Sequence, residues 1–500
     1  MAGMNFNTMI SGDFSGFGNG SIDDVNLLSK ALDPGYATSI AAQTGGGALR
    51  VQSLEQSLKI LTFTLKQMGL WRKIPKQKAF STVEEYTQVT AVGSNPTTAN
   101  FVPAGVLPNE DTSVLQRQYA LVKFIGSTRR ITAQQLLINN QIEDVRAYEN
   151  QMALTQIIST AEYGMYYGNH VGNNNNEYVQ FDGLKTYFNN NLTGSAKNNY
   201  IDLRGASLTP DNINDAAQLV LDNYGFPTAM IMSYDTLNQF TKTWINRQTV
   251  FLPIQANSTQ EQTAMTTGVN IENYATQAGL INFVPDIFLK KTPNPPANDT
   301  SGLTINTTGS ATATGIYSGG TTWEGTVANG TVFHYFITAS NRFGEIGVPD
   351  VSNTNLFIDY TSTGANLTSI TLSGLNNLFQ NTAVQGDTAY GTPQHINIYR
   401  VPIGQNPDKV NLTNYYRVGQ VPYNTAGTSF TDNAQTLPNT NTAYVLQFDD
   451  SVIAVKQLAP AMSIQLALID PSIRWMVLLY MTLVLYAPNK IVEIRNIQAF

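Results

Sequence analysis

The sequence contains no cysteine, and only 13% of its 500 residues are charged. Without cysteine, disulfide bonds, thiolate metal sites and cysteine nucleophiles are excluded. The charged share is about half of that in typical soluble domains, and Asn, Thr, Gln and Gly take the place of the missing charges. A surface of this kind is typical of a protein that packs against neighbours in an assembly.

Basic residues are also few: 28 Lys and Arg stand against 35 Asp and Glu, which gives a net charge of −7. No long run of Lys or Arg occurs, so the chain lacks the basic surface on which tight nucleic-acid binding depends. A protein that only surrounds nucleic acid would need no such surface.

Neither a secretion signal nor a membrane span is predicted. The first 20 residues lack the basic and apolar regions of a signal peptide. The longest apolar stretch, residues 475–487, is too short to cross a bilayer. Because this stretch is rich in Val, Leu and Tyr, it predicts a buried pair of strands.

No constellation of residues predicts catalysis. The three histidines, His170, His334 and His395, are far apart, and none has the spacing of a metal-ligand motif. The glycine-rich motifs of nucleotide-binding loops are absent as well. The sequence therefore predicts no catalytic residues, no metal site and no cofactor, so the chain is not expected to be an enzyme.

Two pairs of adjacent acids occur, Glu84 with Glu85 and Asp449 with Asp450. A glycosidase needs two acids that face each other across a sugar, whereas adjacent residues of a strand point to opposite faces. A solvated or interface position is the better prediction for both pairs.

Arg129 and Arg130 admit two interpretations. Either they begin a helix in solvent with one ion pair, or one of them binds an acidic residue of a neighbouring subunit, since Arg is enriched in interfaces. The Asn-x-Thr triplets are interpreted as chance matches in a chain so rich in Asn and Thr. These triplets begin at Asn191, Asn298, Asn306, Asn329, Asn366 and Asn411.

The N-terminal part of the chain passes from flexible to helical to extended patterns. Residues 1–50 are rich in Gly, Ser and Asn and predict a mobile arm. Regularly spaced leucines from Leu54 to Leu65 then predict a helix that ends at Gly69. Residues 79–126 alternate apolar and polar side chains around a loop rich in Pro, Gly and Asn, which predicts a long β-hairpin.

Helical patterns dominate the next part of the chain. A long helix is predicted over residues 131–166, with Thr132 and Gln135 as its capping box. A second helix is predicted from Pro210, with Thr209 as its cap, to Gly225. The segment PTAMIMS then predicts a buried strand, and the last residue of this segment, Ser233, is predicted to cap the next helix. The segment VNIENYATQAGLINFVPDIFL predicts a strand, a turn and a second strand.

In this order, the elements resemble the major capsid protein of tailed bacteriophages, whose fold is shared with encapsulins and the floor domain of herpesvirus capsids. The resemblance covers residues 50–291 and 447–500. It rests on the arm, the hairpin, the long spine helix, FDGLKTYF, YGFPTAMIMS, PDIFL and the terminal TLVLYAPNKIVEIRNI. The last of these resembles the family's final pair of peripheral-domain strands.

The resemblance implies an α+β protein with the tailed-phage major capsid fold and an inserted all-β sandwich. The implied segments are an N-terminal arm (1–75), an extended hairpin loop (76–126), a peripheral domain with the spine helix (127–205), an axial domain (206–291), the inserted module (292–446), and a return through the axial domain to peripheral-domain strands (447–500).

The inserted module is rich in Gly, Thr and Asn and begins at PNPP. It resembles immunoglobulin-like or fibronectin type III repeats, in which strands of the types YFITASNRFGE and INIYRV lie in opposite sheets. Here YFITASNRFGE comes first, which departs from a single simple repeat. Two partial repeats, or one sandwich with edge strands from both halves, would each explain this order.

By this resemblance, the chain is expected to be the structural subunit of a tailed-phage head shell in the virion, assembled in the bacterial host cytoplasm. Its expected partners are copies of itself in hexamers and pentamers, portal, scaffolding and cement proteins, and double-stranded DNA enclosed without sequence-specific binding; no membrane is involved. The alternatives are an encapsulin-type compartment shell and, from another class, an extracellular carbohydrate-binding or hydrolytic β protein.

Some capsids of this family join subunits by an isopeptide bond between a hairpin lysine and an asparagine of a neighbour. Residues 91–116 contain no lysine, and Lys76, Lys78 and Lys123 lie at the base of the predicted hairpin. Because cysteine is absent as well, we predict a non-covalent lattice. Denaturing gel electrophoresis of mature particles should show the monomer band alone, and a ladder of multimers that survives boiling would contradict this.

Overall fold

The computed structural model describes residues 67–93, 101–107, 110, 112–137, 145–169, 180–188, 199–245, 271–289, 292–297, 301–317, 327–341, 344–346, 354–364, 367–380, 393–467 and 470–499. The predicted arm up to residue 66, with the leucine helix that ends it, lies outside these residues.

The described residues form helices and strands of mixed order. The helices are α1 (Gly69–Lys73), α2 (Ala133–Leu137), α3 (Val145–Tyr167), α4 (Leu184–Thr186), α5 (Pro210–Asp222) and α6 (Tyr234–Ile245). The strands are β1 (Lys76–Lys78), β2 (Val83–Ala91), β3 (Val114–Leu121), β4 (Lys123–Thr132), β5 (Tyr200–Asp202), β6 (Ala229–Ser233), β7 (Asn273–Thr276), β8 (Gly279–Asp286), β9 (Thr312–Tyr317), β10 (Val332–Asn341), β11 (Gly344–Glu345), β12 (Phe357–Thr361), β13 (Leu367–Ser373), β14 (His395–Arg400), β15 (Tyr416–Pro422), β16 (Ser429–Asp432), β17 (Thr440–Leu446), β18 (Ile453–Gln465), β19 (Ser472–Leu485) and β20 (Ile491–Gln498).

A four-stranded sheet in the order β1-β18-β19-β4 carries the long helix α3. Only β1 runs parallel to its neighbour. Alternate side chains of β19, beginning with Trp475 and Val477, point into one buried cluster together with Ile157 and Ala161 of α3. The apolar face that the alternation of β19 produces therefore packs against the apolar stripe of α3 in a common core.

A six-stranded sheet in the order β5-β20-β17-β6-β8-β7 is buried on both faces. Ala229 and Ile231 of β6 join the cluster around α3. Met230 and Met232 point the other way, into a second cluster beneath α5 and α6. Because both faces are covered, β6 is a continuous apolar run and not an alternating one. We call these two sheets and helices α1–α6 the frame.

The residues predicted to cap α5 and α6 do cap these helices. Thr209 caps α5: its hydroxyl accepts from the Asn212 N–H at 3.4 Å, and the Asn212 side chain accepts from the Thr209 N–H at 3.0 Å. The Ser233 hydroxyl accepts from the Thr236 N–H at 3.1 Å at the start of α6. These side chains satisfy helix N–H groups that would otherwise have no partner. The predicted strand, turn and strand are β7 and β8.

The predicted hairpin is present as β2 and β3, which pair only with each other, from Val83 opposite Leu121 to Ala91 opposite Val114. It is shorter than expected, because Lys123 already begins β4 in the four-stranded sheet. At its base, the Tyr86 hydroxyl donates to the Leu485 carbonyl at 3.2 Å and the Gln88 amide to the Tyr486 carbonyl at 2.7 Å. The hairpin is thus anchored to the frame at one end.

Two helix boundaries differ from the prediction. Ile131 and Thr132 still belong to β4, so helix α2 begins only at Ala133; the Thr132 hydroxyl accepts from the Gln135 N–H at 3.4 Å. Residues 138–144 lie outside the described part, after which α3 runs from Val145. Gly69, predicted to end a helix, begins α1 instead, because residues outside the helix bind its first N–H groups.

The predicted terminal strand pair is wrong. Residues 475–487 fall largely in the single strand β19, which pairs with β18 and β4. Strand β20 lies in the six-stranded sheet, between β5 and β17. Between them, Pro488–Lys490 forms a 3-10 turn in which the Lys490 N–H donates to the Ala487 carbonyl at 3.0 Å. Because Pro488 has no backbone N–H to donate to a neighbouring strand, the chain leaves the four-stranded sheet at this turn and enters the six-stranded sheet.

Strands β9–β16 form two antiparallel sheets that share a third buried cluster. We call residues 312–432 the module. One sheet has the order β11-β10-β14-β15 with β12 also on β10, and the other has the order β16-β13-β9. Ile337 and Ile398 of the first sheet and Ile370 of the second belong to the same cluster. Whether the module is immunoglobulin-like or of the fibronectin type stays a prediction.

The module ends earlier than its predicted limit at residue 446. Strand β17 falls inside the predicted range, yet it pairs with β20 and β6 in the centre of the frame. The pattern of β17 resembles that of the module strand β14, because both strands are buried on two faces. The chain segments before and after the module come close together, since the Thr292 N–H donates to the Thr440 carbonyl at 3.0 Å.

We predict that the frame folds without the module. Replacing residues 295–438 by a short Gly/Ser linker should leave a soluble protein with a cooperative thermal transition, because neither buried cluster of the frame contains a module residue. A matched deletion of residues 295–441 also removes the start of β17 and the hydrogen bond from Asn441 to Asp235, 2.9 Å long, and should lower the melting temperature. Insoluble aggregate from the shorter deletion would contradict the prediction.

Candidate functional site

The residues weighed as catalytic candidates lie far apart and have ordinary partners. His334 Nδ1 is 2.7 Å from Asp359 Oδ1 on the module, and His395 is buried at the start of β14; His170 lies outside the described residues. Glu84 accepts from the N–H groups of the turn before β2, at 2.7 and 3.0 Å. Its neighbour Glu85 binds Arg117 on β3.

Both arginines at the start of the helical region bind acids of the same chain. Arg129 is 3.5 Å from Glu149, and Arg130 is 2.8 Å from Asp470. Both arginines lie in β4 and not at a helix start, so the first interpretation is supported for the ion pairing and is wrong about the helix. Asp449 accepts from the Ser451 N–H at 2.9 Å and so shapes a tight turn.

Neither a metal cluster nor a membrane span is found in the part of the chain that the structure describes. No group of three or more His, Asp and Glu side chains there is placed to hold a metal ion. No helix among these residues is long and apolar enough to cross a bilayer.

The most unusual polar feature of the frame is a pair of buried carboxyl groups, Glu162 and Asp286, which we call the carboxylate pair. Glu162 lies on α3 and is fully buried, and Asp286 ends β8 with 1% exposure. Both bind the first N–H groups of α1. The Leu70 N–H lies 2.9 Å from Glu162 Oε1 and 3.2 Å from Asp286 Oδ2, while the Gly69 N–H donates to Asp286 at 3.0 Å.

Three further hydrogen-bond donors bind the two carboxyl groups. The Trp71 N–H donates to Glu162 at 3.3 Å, and the Tyr166 hydroxyl donates to Asp286 at 2.8 Å. The Phe288 N–H donates to the other Asp286 oxygen at 2.8 Å. A helix N-terminus favours negative charge and offers unpaired N–H groups, so α1 is held where α3 and β8 meet.

A proton must also be present in this site. Burial, followed by the hydrogen bond and the negative charge of Asp286, raises the pKa of Glu162 to about 9, although the backbone donors of Trp71 and Leu70 oppose this shift. Glu162 is therefore protonated near neutral pH and donates to Asp286, since two adjacent buried carboxylates cannot both be ionised. Burial and the same two acids also raise the pKa of Tyr166 well above its usual value.

Only glycine fits at the first position of α1. A Cβ on Gly69 would lie 2.8 Å from Val284 Cγ1 and 3.3 Å from Asp286 Oδ2. The close approach of α1 to the carboxylate pair therefore depends on the missing side chain. Because Glu162, Asp286 and Tyr166 are at most 1% exposed, no substrate reaches them. Their role is to hold the start of the described chain against both sheets of the frame.

Sequence reasoning did not predict this pair. Glu162 interrupts the apolar stripe of α3 between Ala161 and Met165, both fully buried. An acid in such a stripe is the signal that would have indicated a buried partner. The partner itself, on a distant strand, is set by the tertiary fold.

The hairpin presents a second candidate site, an exposed apolar surface. Near the tip of the hairpin, Phe101 is 83% and Leu107 is 89% exposed. Val92, Val114, Leu115 and Tyr119 are exposed as well. Exposed apolar side chains in this number are typical of a surface that binds another protein. Residues 94–100 and parts of 108–111 lie outside the described residues.

We predict that the carboxylate pair makes stability fall as pH rises. The folded pKa of Glu162, about 9, lies above the value near 4.3 expected for an unfolded chain. The folded state thus holds an extra proton between about pH 5 and pH 9, and the free energy of unfolding should fall with pH across this window by up to about 1.4 kcal/mol per pH unit.

Urea denaturation of the unassembled protein from pH 5 to pH 9 measures this dependence. Glu162→Gln keeps the shape and a donor to Asp286 and should flatten the slope. Glu149→Gln, at the half-buried pair with Arg129, is the matched control and should keep the wild-type slope. An unchanged slope in Glu162→Gln would show that Glu162 is not the group responsible.

A family model described as SU10 major capsid protein matches residues 44–308, which is more than half of the chain. The major capsid protein of Staphylococcus phage S25-3 is 25% identical over 485 residues, which cover 94% of each protein.

Solved structures show more distant similarity. The capsid of a native GTA particle aligns with 92% of this chain and 99% of its own at 8% identity, with a TM-score of 0.44. The holo-SrpI encapsulin complex from Synechococcus elongatus PCC 7942 aligns with 92% of this chain and 96% of its own at 9% identity, with a TM-score of 0.38.

Proposed function

We infer that this chain, which belongs to the SU10 major capsid protein family, is the structural subunit of a bacteriophage head shell. The family match over residues 44–308 is the observation that carries this conclusion. It confirms the resemblance found in the sequence and the prediction of a structural protein that is not an enzyme. It also favours the head shell over an encapsulin-type compartment and over an extracellular carbohydrate-binding or hydrolytic protein.

The geometry of the chain suits a shell subunit. The frame is a rigid body with two buried clusters and few charged groups inside. The hairpin projects from it with apolar side chains that have no partner within the described chain, such as Phe101 and Leu107. We propose that the hairpin lies over a neighbouring copy, so that one rigid body can bind neighbours in slightly different environments.

The proposed partners follow from this role. Copies of the chain would form hexamers and pentamers, and portal, scaffolding and cement proteins would join them. The shell would enclose double-stranded DNA without sequence-specific contacts, which agrees with a net charge of −7 and the scarcity of Lys and Arg. We propose assembly in the cytoplasm of the bacterial host, with the finished subunit in the virion capsid.

Electron microscopy of the purified chain tests this function together with the role of the hairpin. The wild-type protein should form closed shells, alone or with a scaffolding protein from the same phage. Changing both Phe101 and Leu107 to Ser should leave the melting temperature unchanged and lower the shell yield roughly tenfold, because exposed apolar residues contribute to contacts between copies and not to the monomer core.

The control is Val410→Ser, which removes a side chain that is 70% exposed on the module and should leave the shell yield unchanged. Normal shell yield from the double hairpin variant would contradict the role of the hairpin alone. Failure of the wild-type chain to form any shell with its scaffolding protein would contradict the proposed function itself.

A further inference from the structure

A cavity of about 370 Å³ lies between the frame and the module. The frame contributes Lys185 and Thr186 of α4 to its lining, and the module contributes Arg417 of β15. The module is held at this place by polar contacts: the Arg417 N–H donates to the Pro293 carbonyl at 2.9 Å, and the Asn294 amide donates to the Tyr415 carbonyl at 3.0 Å. The cavity therefore adjoins the junction through which the module is attached.

Two cationic side chains line this cavity without a carboxylate partner. Arg417 Nη2 donates to the Tyr163 hydroxyl at 3.3 Å, and its guanidinium lies 5.9 Å from the centre of the Tyr167 ring. Among the described residues, no carboxylate lies within 4.0 Å of either cation. Within the same residues, Lys185 makes no hydrogen bond through its ammonium group. A Lys has three donors and an Arg five, so most of these N–H groups face the cavity or solvent.

The nearby acids already have partners of their own. Asp432, which lines the cavity, lies 3.3 Å from Arg400 and accepts from the Tyr335 hydroxyl at 3.0 Å. Glu345 accepts from the Tyr399 hydroxyl at 2.7 Å. Both are acids of the module.

On the frame side, Glu493 accepts from the Tyr444 hydroxyl at 3.4 Å through Oε1, whereas its Oε2 has no hydrogen-bond partner among the described residues. Asp202 pairs with Arg495 at 3.8 Å. The pKa of Lys185 is lowered to about 8, mainly by burial; the charge of Glu493 opposes this shift, and the charges of Arg417 and Arg495 add to it. The ammonium group thus lies in a place with little water, near the opposite charge of Glu493 and the like charges of Arg417 and Arg495, and a bound anion would supply a further opposite charge.

We propose that this cavity binds a small oxyanion of the phosphate class between Lys185 of the frame and Arg417 of the module. Arginine and lysine are the side chains that bind such anions, the first through a planar fork and the second as a point charge. The cavity volume is at the lower end for ligand sites, which fits a small ion and its water. Because each cation comes from a different side of the junction, the bound ion would strengthen the attachment of the module to the frame.

Inorganic phosphate is the probe. Thermal unfolding of the unassembled full-length chain is followed at pH 7 in increasing sodium phosphate, with sodium chloride at equal ionic strength as the reference. Wild-type protein should show a saturable rise in melting temperature of a few degrees, since a ligand that binds only the folded state stabilises it. Isothermal titration should give one site per chain.

Variants separate the site from general effects of salt. Lys185→Met and Arg417→Met should each weaken phosphate binding about tenfold or more, whereas Lys185→Arg keeps the charge and should keep the effect. Lys409→Met, at a module lysine that pairs with Asp359 at 3.3 Å, is the control and should bind phosphate normally. At pH 9.5 the wild-type effect should shrink, because Lys185 loses its charge.

Three results would overturn the proposal: a rise in phosphate no larger than in chloride, an equal rise in Lys185→Met and wild type, or a response to a DNA oligonucleotide but not to phosphate. Shell formation is measured separately by electron microscopy, so a failure here leaves the proposed function untouched.

Discussion

Glu162 and Asp286 share a proton at the point where α1, α3 and β8 meet, and the arrangement of the frame depends on this contact. The pair binds the Gly69 and Leu70 N–H groups at 3.0 and 2.9 Å. It joins the helix of the four-stranded sheet to a strand of the six-stranded sheet and holds the start of the described chain to both. Removing Glu162 would take one donor from the buried charge of Asp286 and leave the Trp71 N–H without its acceptor, which is destabilising.

This constraint agrees with the function of a shell subunit. A subunit that meets several neighbours needs a body that does not deform and extensions that do. The carboxylate pair lies inside the body, while the hairpin, anchored only at its base by Tyr86 and Gln88, carries exposed apolar side chains away from it. The module has its own buried cluster, so its size and shape can vary without disturbing the frame.

Local patterns predicted much of the fold, and long-range pairing was where they failed. The capping residues Thr209 and Ser233 lie within a few residues of their partners, so the sequence predicted their roles. The alternation of apolar and polar residues likewise predicted the hairpin. Strand β17 and the final strands β19 and β20 were misplaced, because a strand buried on both faces carries the same apolar pattern in any sheet. The carboxylate pair was missed for a related reason: the partner of Glu162 is fixed by topology and by no spacing in the sequence.

Hydrogen–deuterium exchange, measured on unassembled protein and on shells, tests this division into a rigid body and an adaptable hairpin most directly. The amides of Gly69–Lys73 should exchange slowly in both states, because the carboxylate pair holds them in the monomer. The hairpin, including residues 101–107, should exchange quickly in the unassembled protein and become protected only in shells. Hairpin exchange that assembly does not change, or rapid exchange at Gly69–Lys73 in the unassembled protein, would contradict the account.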